Sequence, residues 1–272
     1  MSIRKERIDV LLVERGHYET REKAKAAVMA GLVQVANERC DKPGTKFPED
    51  VVITVKGEVH PYVSRGGLKL EKALKVFDVD LTDRVMMDIG ASTGGFTDCA
   101  LQNGARLVYA IDVGYGQLAW SLRQDERVVV MERTNFRHMD PDAFDRELPD
   151  AASIDVSFIS LKLILPVLYR FLKRGGDVMA LVKPQFEAGK EKVGKNGIVR
   201  EPEIHEAVLT NIGQFASSLG FALKGLDFSP ITGGEGNIEF VMHLKKSDAG
   251  MDSESWLQCV TEVVASAHAK LK

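Results

Sequence analysis

The chain has little cysteine. Cys40, Cys99 and Cys259 are odd in number, far apart and without C-x-x-C spacing, which excludes a disulfide framework and a thiolate zinc site. No run approaches the roughly 20 apolar residues of a membrane-spanning helix, and no series of alternating amphipathic strands reads as a membrane barrel. The opening MSIRKERIDVLLVERG scatters charges among its apolar residues and lacks a small-residue cleavage site, so it does not read as a secretory signal, and cytoplasm is the expected location. Charge of one sign is also lacking. With 36 Lys+Arg against 39 Asp+Glu and a net charge of -3, bulk nucleic-acid binding by charge is excluded, and any RNA or DNA contact must come from local basic surface. No cluster of carboxylates or histidines calls for a metal.

What is present is organised around residues 88–101, DIGASTGGFTDCAL. Val85, Met86, Met87 and Ile89 make the apolar run of a buried parallel strand around Asp88, and Gly90, Gly94 and Gly95 then remove side chains where a ligand would approach the backbone. The amides that open the following helix favour an anionic group, phosphate or carboxylate. The spacing departs from the G-x-G-x-x-G dinucleotide fingerprint. A second strand over 107–113 brings Asp112 to a place suited to ribose hydroxyls, so a nucleoside-type ligand is expected.

At 272 residues the chain has room for one large α/β domain and a small one. Residues 4–57 carry their own pattern: Ile8, Leu11 and Leu12 at helical spacing, Gly16 as a stop, a second helix from Thr20 to Met29 ended by Gly31, and short β runs over 32–35 and 51–55. His60-Pro61-Tyr62-Val63 reads as a linker. SRGGLKL, at 64–70, opens an amphipathic helix with Lys69 beside its apolar stripe, where a lysine ordinarily snorkels to the surface. Strands are then expected near 107–113, 127–131, 151–156 and 177–183, alternating with helices, which predicts a parallel sheet covered on both faces. Its ligand edge would collect Gly90, Asp112, Asn135, Asp155 and Lys183. The glycine-rich stretch after Lys183, with Lys190, Lys192, Lys195 and Arg200, predicts a mobile loop over the site. A helix over 203–219 and strands near 221–229 and 237–244 predict an antiparallel hairpin at the sheet edge. Residues 256–271 predict a tail helix that packs on the domain or on a second copy, which leaves a homodimer open.

Two resemblances follow from these motifs. IDVLLVERG at 8–16, TREKA at 20–24 and AGLVQV at 30–35 look like the small RNA-binding fold named after ribosomal protein S-four. That likeness implies an α+β domain over 1–59 whose RNA phosphate contacts are Arg21, Lys23 and Lys25, extended by Arg4, Lys5 and Arg7. DIGASTGGFTD, SRGGLKL, DVSFISL, LVKPQFE and NIEF resemble the FtsJ-like RNA ribose methyltransferases, and the chain to about Lys246 is similar to the TlyA family of rRNA 2'-O-methyltransferases, often labelled haemolysin A. This implies a Rossmann-like class I methyltransferase domain over 64–246, with a mostly parallel seven-stranded sheet and a tail over 247–272. It also implies S-adenosylmethionine as donor and an RNA ribose hydroxyl, in that family a cytidine's, as acceptor, with ribosomal RNA or ribosomal subunits as partners and no metal.

The implied catalytic set is Lys69, Asp155, Lys183 and Glu239: Lys183 orients or deprotonates the hydroxyl, Lys69 tunes it, and the two acids keep the lysines from repelling each other. The implied donor set is Asp88, Gly90, Ala91, Ser92, Gly94, Gly95, Phe96, Asp112 and Asn135, and Arg65, Lys190 and Lys192 join the RNA-facing cations. The competing readings are two ordinary salt bridges at a sheet edge, an RNA-binding assembly factor with a non-catalytic fold, a haemolysin, and an NAD-dependent dehydrogenase.

Overall fold

The computed structural model describes residues 4–29, 31–55, 60–144, 146–233 and 236–271. Ala30, residues 56–59 of the expected small domain, and Gly234 and Glu235 of the expected hairpin turn lie outside the described residues. The chain divides into two compact units, Met1–Pro61 and Tyr62–Lys272.

The smaller unit runs β1 (Lys5–Arg7), α1 (Ile8–Glu14), α2 (Arg21–Met29), β2 (Val33–Val35), β3 (Glu38–Cys40), β4 (Lys46–Pro48) and β5 (Ile53–Val55). Strands β3, β2 and β5 form an antiparallel sheet, and β1 pairs with β4. Ile8, Leu12, Ala24, Ala27, Val28, Val33 and Val35 close its core. The three strands that the sequence did not announce, KER, ERC and KFP, are too short and too polar to show alternation. Buried within this unit is Asp9, which takes Nε and a terminal nitrogen of Arg7 at 2.9 and 3.1 Å and Arg21 at 2.9 Å. Burial pushes its carboxyl up, but the two arginines outweigh burial and hold it below its usual range.

The larger unit opens with α3 (Gly67–Phe77) and proceeds β6 (Val85–Ile89), α4 (Gly95–Gln102), β7 (Leu107–Ile111), α5 (Trp120–Arg123), β8 (Val128–Met131), β9 (Ala151–Ile154), α6 (Leu165–Phe171), β10 (Asp177–Val182), α7 (Pro184–Glu187), α8 (Pro202–Ser218), β11 (Ala222–Phe228), β12 (Phe240–Lys245) and α9 (Ser253–Lys270). The sheet has seven strands in the order β11-β12-β10-β9-β6-β7-β8. Only β12 runs against its neighbours β10 and β11. The other pairings are parallel, and β6, the first strand, has β7 on one side and β9 on the other. That reversal of strand order opens a crevice at the carboxyl ends of β6, β7 and β9, where open α/β sheets take their ligands. Buried clusters cover both faces, as the near-continuous apolar runs VMMDI, LVYAI and DVMALV require.

Two expectations are corrected. The linker is shorter than 60–63: Tyr62 is buried, packs against Gly67 and donates to Glu71 Oε1 at 2.8 Å, while the Val63 N–H donates to Asp98. The stretch after Lys183 is not an open loop. It folds as α7 and two short turns, Lys190–Lys192 and Lys195–Gly197, and Glu187 fastens it by accepting from Ser160 Oγ and the Leu161 N–H.

The tail helix α9 packs on α8 and β11 of its own chain, and Trp256, 1% exposed, lies so close to α8 that a Cβ on Gly213 would come 2.5 Å from its indole nitrogen. Trp256→Ala is therefore expected to destabilise the larger unit by about 3–5 kcal/mol, read as a lowered denaturant midpoint. An unchanged midpoint would show that α9 adds nothing to this core.

Candidate active site

Four charged side chains from four separate elements meet at the crevice. Lys69 lies in the first turn of α3, Asp155 directly follows β9, Lys183 directly follows β10, and Glu239 directly precedes β12. Lys69 Nζ is 2.6 Å from Glu239 Oε2 and 3.4 Å from Asp155 Oδ2, and Lys183 Nζ is 2.5 Å from Asp155 Oδ1. Lys69 and Lys183 are each 8% exposed and Glu239 is 3% exposed. Lys69 does not snorkel as a lysine beside such a stripe ordinarily would: both lysines are withdrawn from water into an array of two positive and two negative charges.

Burial alone would push Asp155 up and Lys69 down. The two lysines outweigh burial at Asp155 and hold it below the carboxylate's ordinary value, while Asp155 and Glu239 outweigh it at Lys69 and raise that ammonium above its ordinary value. Lys183 also donates to Ser157 Oγ at 3.1 Å, a contact that no reading of the sequence assigned, although Ser157 lies within the DVSFISL motif.

The glycine-rich turn borders this array, and its glycines have separate reasons. Gly90 has φ +88°, and a Cβ there would lie 2.4 Å from the Asp155 carbonyl oxygen. A Cβ on Gly95 would lie 2.3 Å from Ser64 Oγ and 2.8 Å from the Gly67 nitrogen, so α3 and α4 begin in contact. Gly94, φ +98°, instead admits the Leu122 and Leu118 side chains and lines neither cavity. Asp88 is likewise corrected from a ligand contact to a support. It is fully buried, lines neither cavity, and accepts from Thr97 Oγ1 at 2.7 Å and Ser153 Oγ at 3.0 Å.

Two adjoining cavities share Gly90, Ser92, Asp155 and Ser157. The smaller, about 240 Å³, is bounded by Ser64, Gly66, Ala91, Gly95, Phe96 and Lys183. The larger, about 490 Å³, has apolar walls from Ile89, Ile111, Phe136 and Ile164, with Asp112 and Asn135 on its border. Asp112 Oδ2 accepts the Ser92 N–H at 2.8 Å and Oδ1 the Gly114 N–H at 2.7 Å, so it shapes the turn and still keeps a second lone pair on each oxygen. Asn135 Oδ1 accepts the Arg137 N–H at 3.2 Å. Glu132, not foreseen from the sequence, gathers the N–H groups of Gly116, Gln117 and Leu118 and pairs with Arg123. Arg123 foremost, then the Gly116 and Leu118 amides, hold its carboxyl down at about 2. The larger cavity thus offers apolar walls with a carboxylate and an amide on its border, and the smaller one opens on the glycine-rich turn where α4 begins.

The cations expected to face RNA are placed as follows. In the smaller unit Arg4 pairs with Glu6 and Glu49, Lys23 with Glu19, and Arg7 and Arg21 share Asp9, while Lys5 is exposed and Lys25 half-buried. In the larger unit Arg65, Lys190 and Lys192 are exposed, and none of the three borders either cavity. Among the described residues no group of three or more His, Cys, Asp or Glu side chains could hold a metal, and no helix is long and apolar enough to cross a membrane.

Comparison with known proteins agrees with this geometry. The family model described as FtsJ-like methyltransferase matches residues 62–246, and the model of the S4 domain matches residues 6–53. The Bacillus subtilis (strain 168) protein YqxC is 61% identical over 273 residues, covering 100% of this chain and 97% of its own. The 16S/23S rRNA (cytidine-2'-O)-methyltransferase TlyA of Mycobacterium tuberculosis (strain CDC 1551 / Oshkosh) is 42% identical over 243 residues, 89% of this chain and 90% of that protein. A solved Streptococcus thermophilus structure, 58% identical, superposes with a TM-score of 0.78 and covers 99% of this chain and 98% of its own.

Burial drives the Asp88 carboxyl up to about 6 from 3.8, further than its Thr97 and Ser153 bonds bring it down. A folded-state value above the unfolded one means that the native state holds a proton which the unfolded chain releases. Stability from this group is thus full below pH 3.8, falls as pH rises toward 6 and is flat above that. The difference in unfolding free energy between wild type and Asp88→Asn is expected to shift by about 3 kcal/mol across that window, in favour of the variant at neutral pH. Parallel stability curves for the two proteins from pH 4 to 7 would refute the assignment.

Proposed function

The chain belongs to the FtsJ-like methyltransferase family, and from that premise we propose that it transfers a methyl group from S-adenosylmethionine to the 2'-hydroxyl of a ribose, a cytidine's, in ribosomal RNA. The observation that carries this reading is the largely buried Lys69–Asp155–Lys183–Glu239 array beside a pair of adjoining cavities with Asp112 and the glycine-rich turn on their walls. The S4-domain match and the curated relative's name support RNA as the substrate.

Gly90, Ala91, Ser92, Gly95 and Phe96 would hold the donor's methionine part, Asp112 its ribose, and the apolar walls with Asn135 its base. When bound, the donor supplies an electrophilic methyl carbon on a sulfonium. A ribose hydroxyl is a weak nucleophile at neutral pH, so the protein's task is to position it and to stabilise the negative charge that grows on its oxygen. Lys183 borders the smaller cavity, and its ammonium, paired with Asp155 and bonded to Ser157, is aimed rather than free. It acts on the hydroxyl oxygen through its charge. Lys69 shares Asp155 from the other side, and Glu239 balances Lys69, so no unpaired charge is buried when the RNA is absent. Arg4, Lys5, Arg7, Arg21, Lys23 and Lys25 of the smaller unit, with Arg65, Lys190 and Lys192 of the larger, are the cations offered to phosphates.

The array also sets a pH range. Asp155, lowered, keeps its charge until pH falls through and below its ordinary 3.8, and Lys69, raised, keeps its charge until pH passes above its ordinary 10.5. Between those limits neither charge changes.

Lys183→Ala is expected to lower transfer of labelled methyl to rRNA about 10²–10⁴-fold in kcat, with donor affinity by calorimetry within about twofold of wild type. Normal transfer by that variant would rule out the mechanism. Failure of the wild-type protein to methylate rRNA or ribosomal subunits, while still binding donor, would rule out the substrate.

A further inference from the structure

The segment that follows Lys183 carries exposed Lys190, Lys192 and Lys195 and returns to the core at Val199, which is buried. Its near end is the catalytic array itself. Its far end is held by two buried polar side chains that the reaction, as described, does not use.

Asn237, 3% exposed, spans two points of the segment: Oδ1 accepts the Val199 N–H at 3.0 Å, and Nδ2 donates to the Gly197 carbonyl at 2.9 Å. An amide N–H can only donate and a carbonyl can only accept, so the orientation of the Asn237 amide is fixed. The Val199 carbonyl then faces His205 Nε2 at 3.2 Å. A carbonyl cannot donate, so His205 carries its proton on Nε2, and its Nδ1 accepts from His268 Nε2 of α9 at 2.9 Å. The peptide groups of one buried valine are thus gripped at both polar atoms, one from the edge of the sheet and one from α8, with α9 behind it. Both grips lie next to the site. Asn237 stands two residues before Glu239, whose carboxylate holds Lys69, and the His205 ring packs edge-on against Phe240 at 5.3 Å between centroids.

We propose that Asn237 and His205 are positioning residues: by fastening Val199 they hold the basic segment closed between Lys183 and Glu239, so that its lysines meet the RNA backbone in fixed register with the array. Neither touches the reacting atoms. The inference rests on the reading of the chain as an RNA methyltransferase only for its consequence in turnover, since the latch itself is independent of substrate.

The test uses the full-length chain in four forms: wild type, Asn237→Ala, His205→Leu and His205→Gln, whose amide can still donate to Val199. Limited trypsin digestion without RNA reads the latch, by the rate of cleavage after Lys190, Lys192 and Lys195. Methyl transfer to rRNA reads its consequence, and donor calorimetry reads the integrity of the cavities. Asn237→Ala and His205→Leu are expected to be cut at least about tenfold faster and to show an RNA KM raised about tenfold, with donor affinity within about twofold, while His205→Gln stays near wild type. Unchanged cleavage in both disrupting variants would overturn the proposal. So would faster cleavage with an unaltered RNA KM, or a fall in donor affinity as large as the rise in KM. If wild type transfers no methyl to rRNA yet the cleavage pattern appears, the latch stands and the proposed substrate falls.

Discussion

The larger unit depends on one carboxylate. Asp155 stands where β9 ends, its side chain lies between Lys69 and Lys183, and its own carbonyl oxygen presses so close to Gly90 that no Cβ fits between. Side chain and main chain of a single residue therefore join the charge array to the glycine-rich turn. Each buried charge would be costly by itself. Two of each sign within hydrogen-bond reach make the burial tolerable, although such an array buys arrangement more than stability.

The sheet explains why this arrangement is available. Parallel strands deliver Gly90, Asp112, Asp155 and Lys183 to one edge, since each immediately follows a strand, and the strand order reverses beside β6 so that the crevice opens there. The two remaining members need other devices. Lys69 comes from a helix that begins in contact with α4, where Gly95 leaves room for the Gly67 backbone, and Glu239 comes from the one strand of this sheet that runs against its neighbours, which brings its start to the same edge. The antiparallel hairpin is thus part of the site, not an appendage to the sheet.

Much of this was legible in the sequence because the signals are local. Apolar runs ending in Asp or Gly, separated by helical periodicity, announce parallel strands whose ends carry function, and the turn at 90–95 could be read from glycine spacing alone. That these four side chains belong together was suggested only by the resemblance of whole motifs. What sequence could not show was depth. Lys69 sits beside an amphipathic stripe, where lysines ordinarily reach water, yet its ammonium turns inward to Glu239 and Asp155, residues far from it in sequence. Asp88 and Gly94 stand inside the motif yet face away from the cavities, since alternate residues of a strand and neighbouring residues of a turn point to opposite sides. The stretch after Lys183 looked like an unstructured loop because its anchors, Ser160, Asn237 and His205, lie on other elements.

The separations along the chain carry a final consequence. Lys69 and Glu239 are 170 residues apart, and Lys69 and Asp155 are 86 apart. A chain emerging from its own ribosome would expose Lys69, Asp155 and Lys183 long before Glu239 exists, leaving a cluster one acid short and too unbalanced to bury. The last strand completes both the sheet and the charge balance. Closure of the sheet and completion of the charge array are therefore one event.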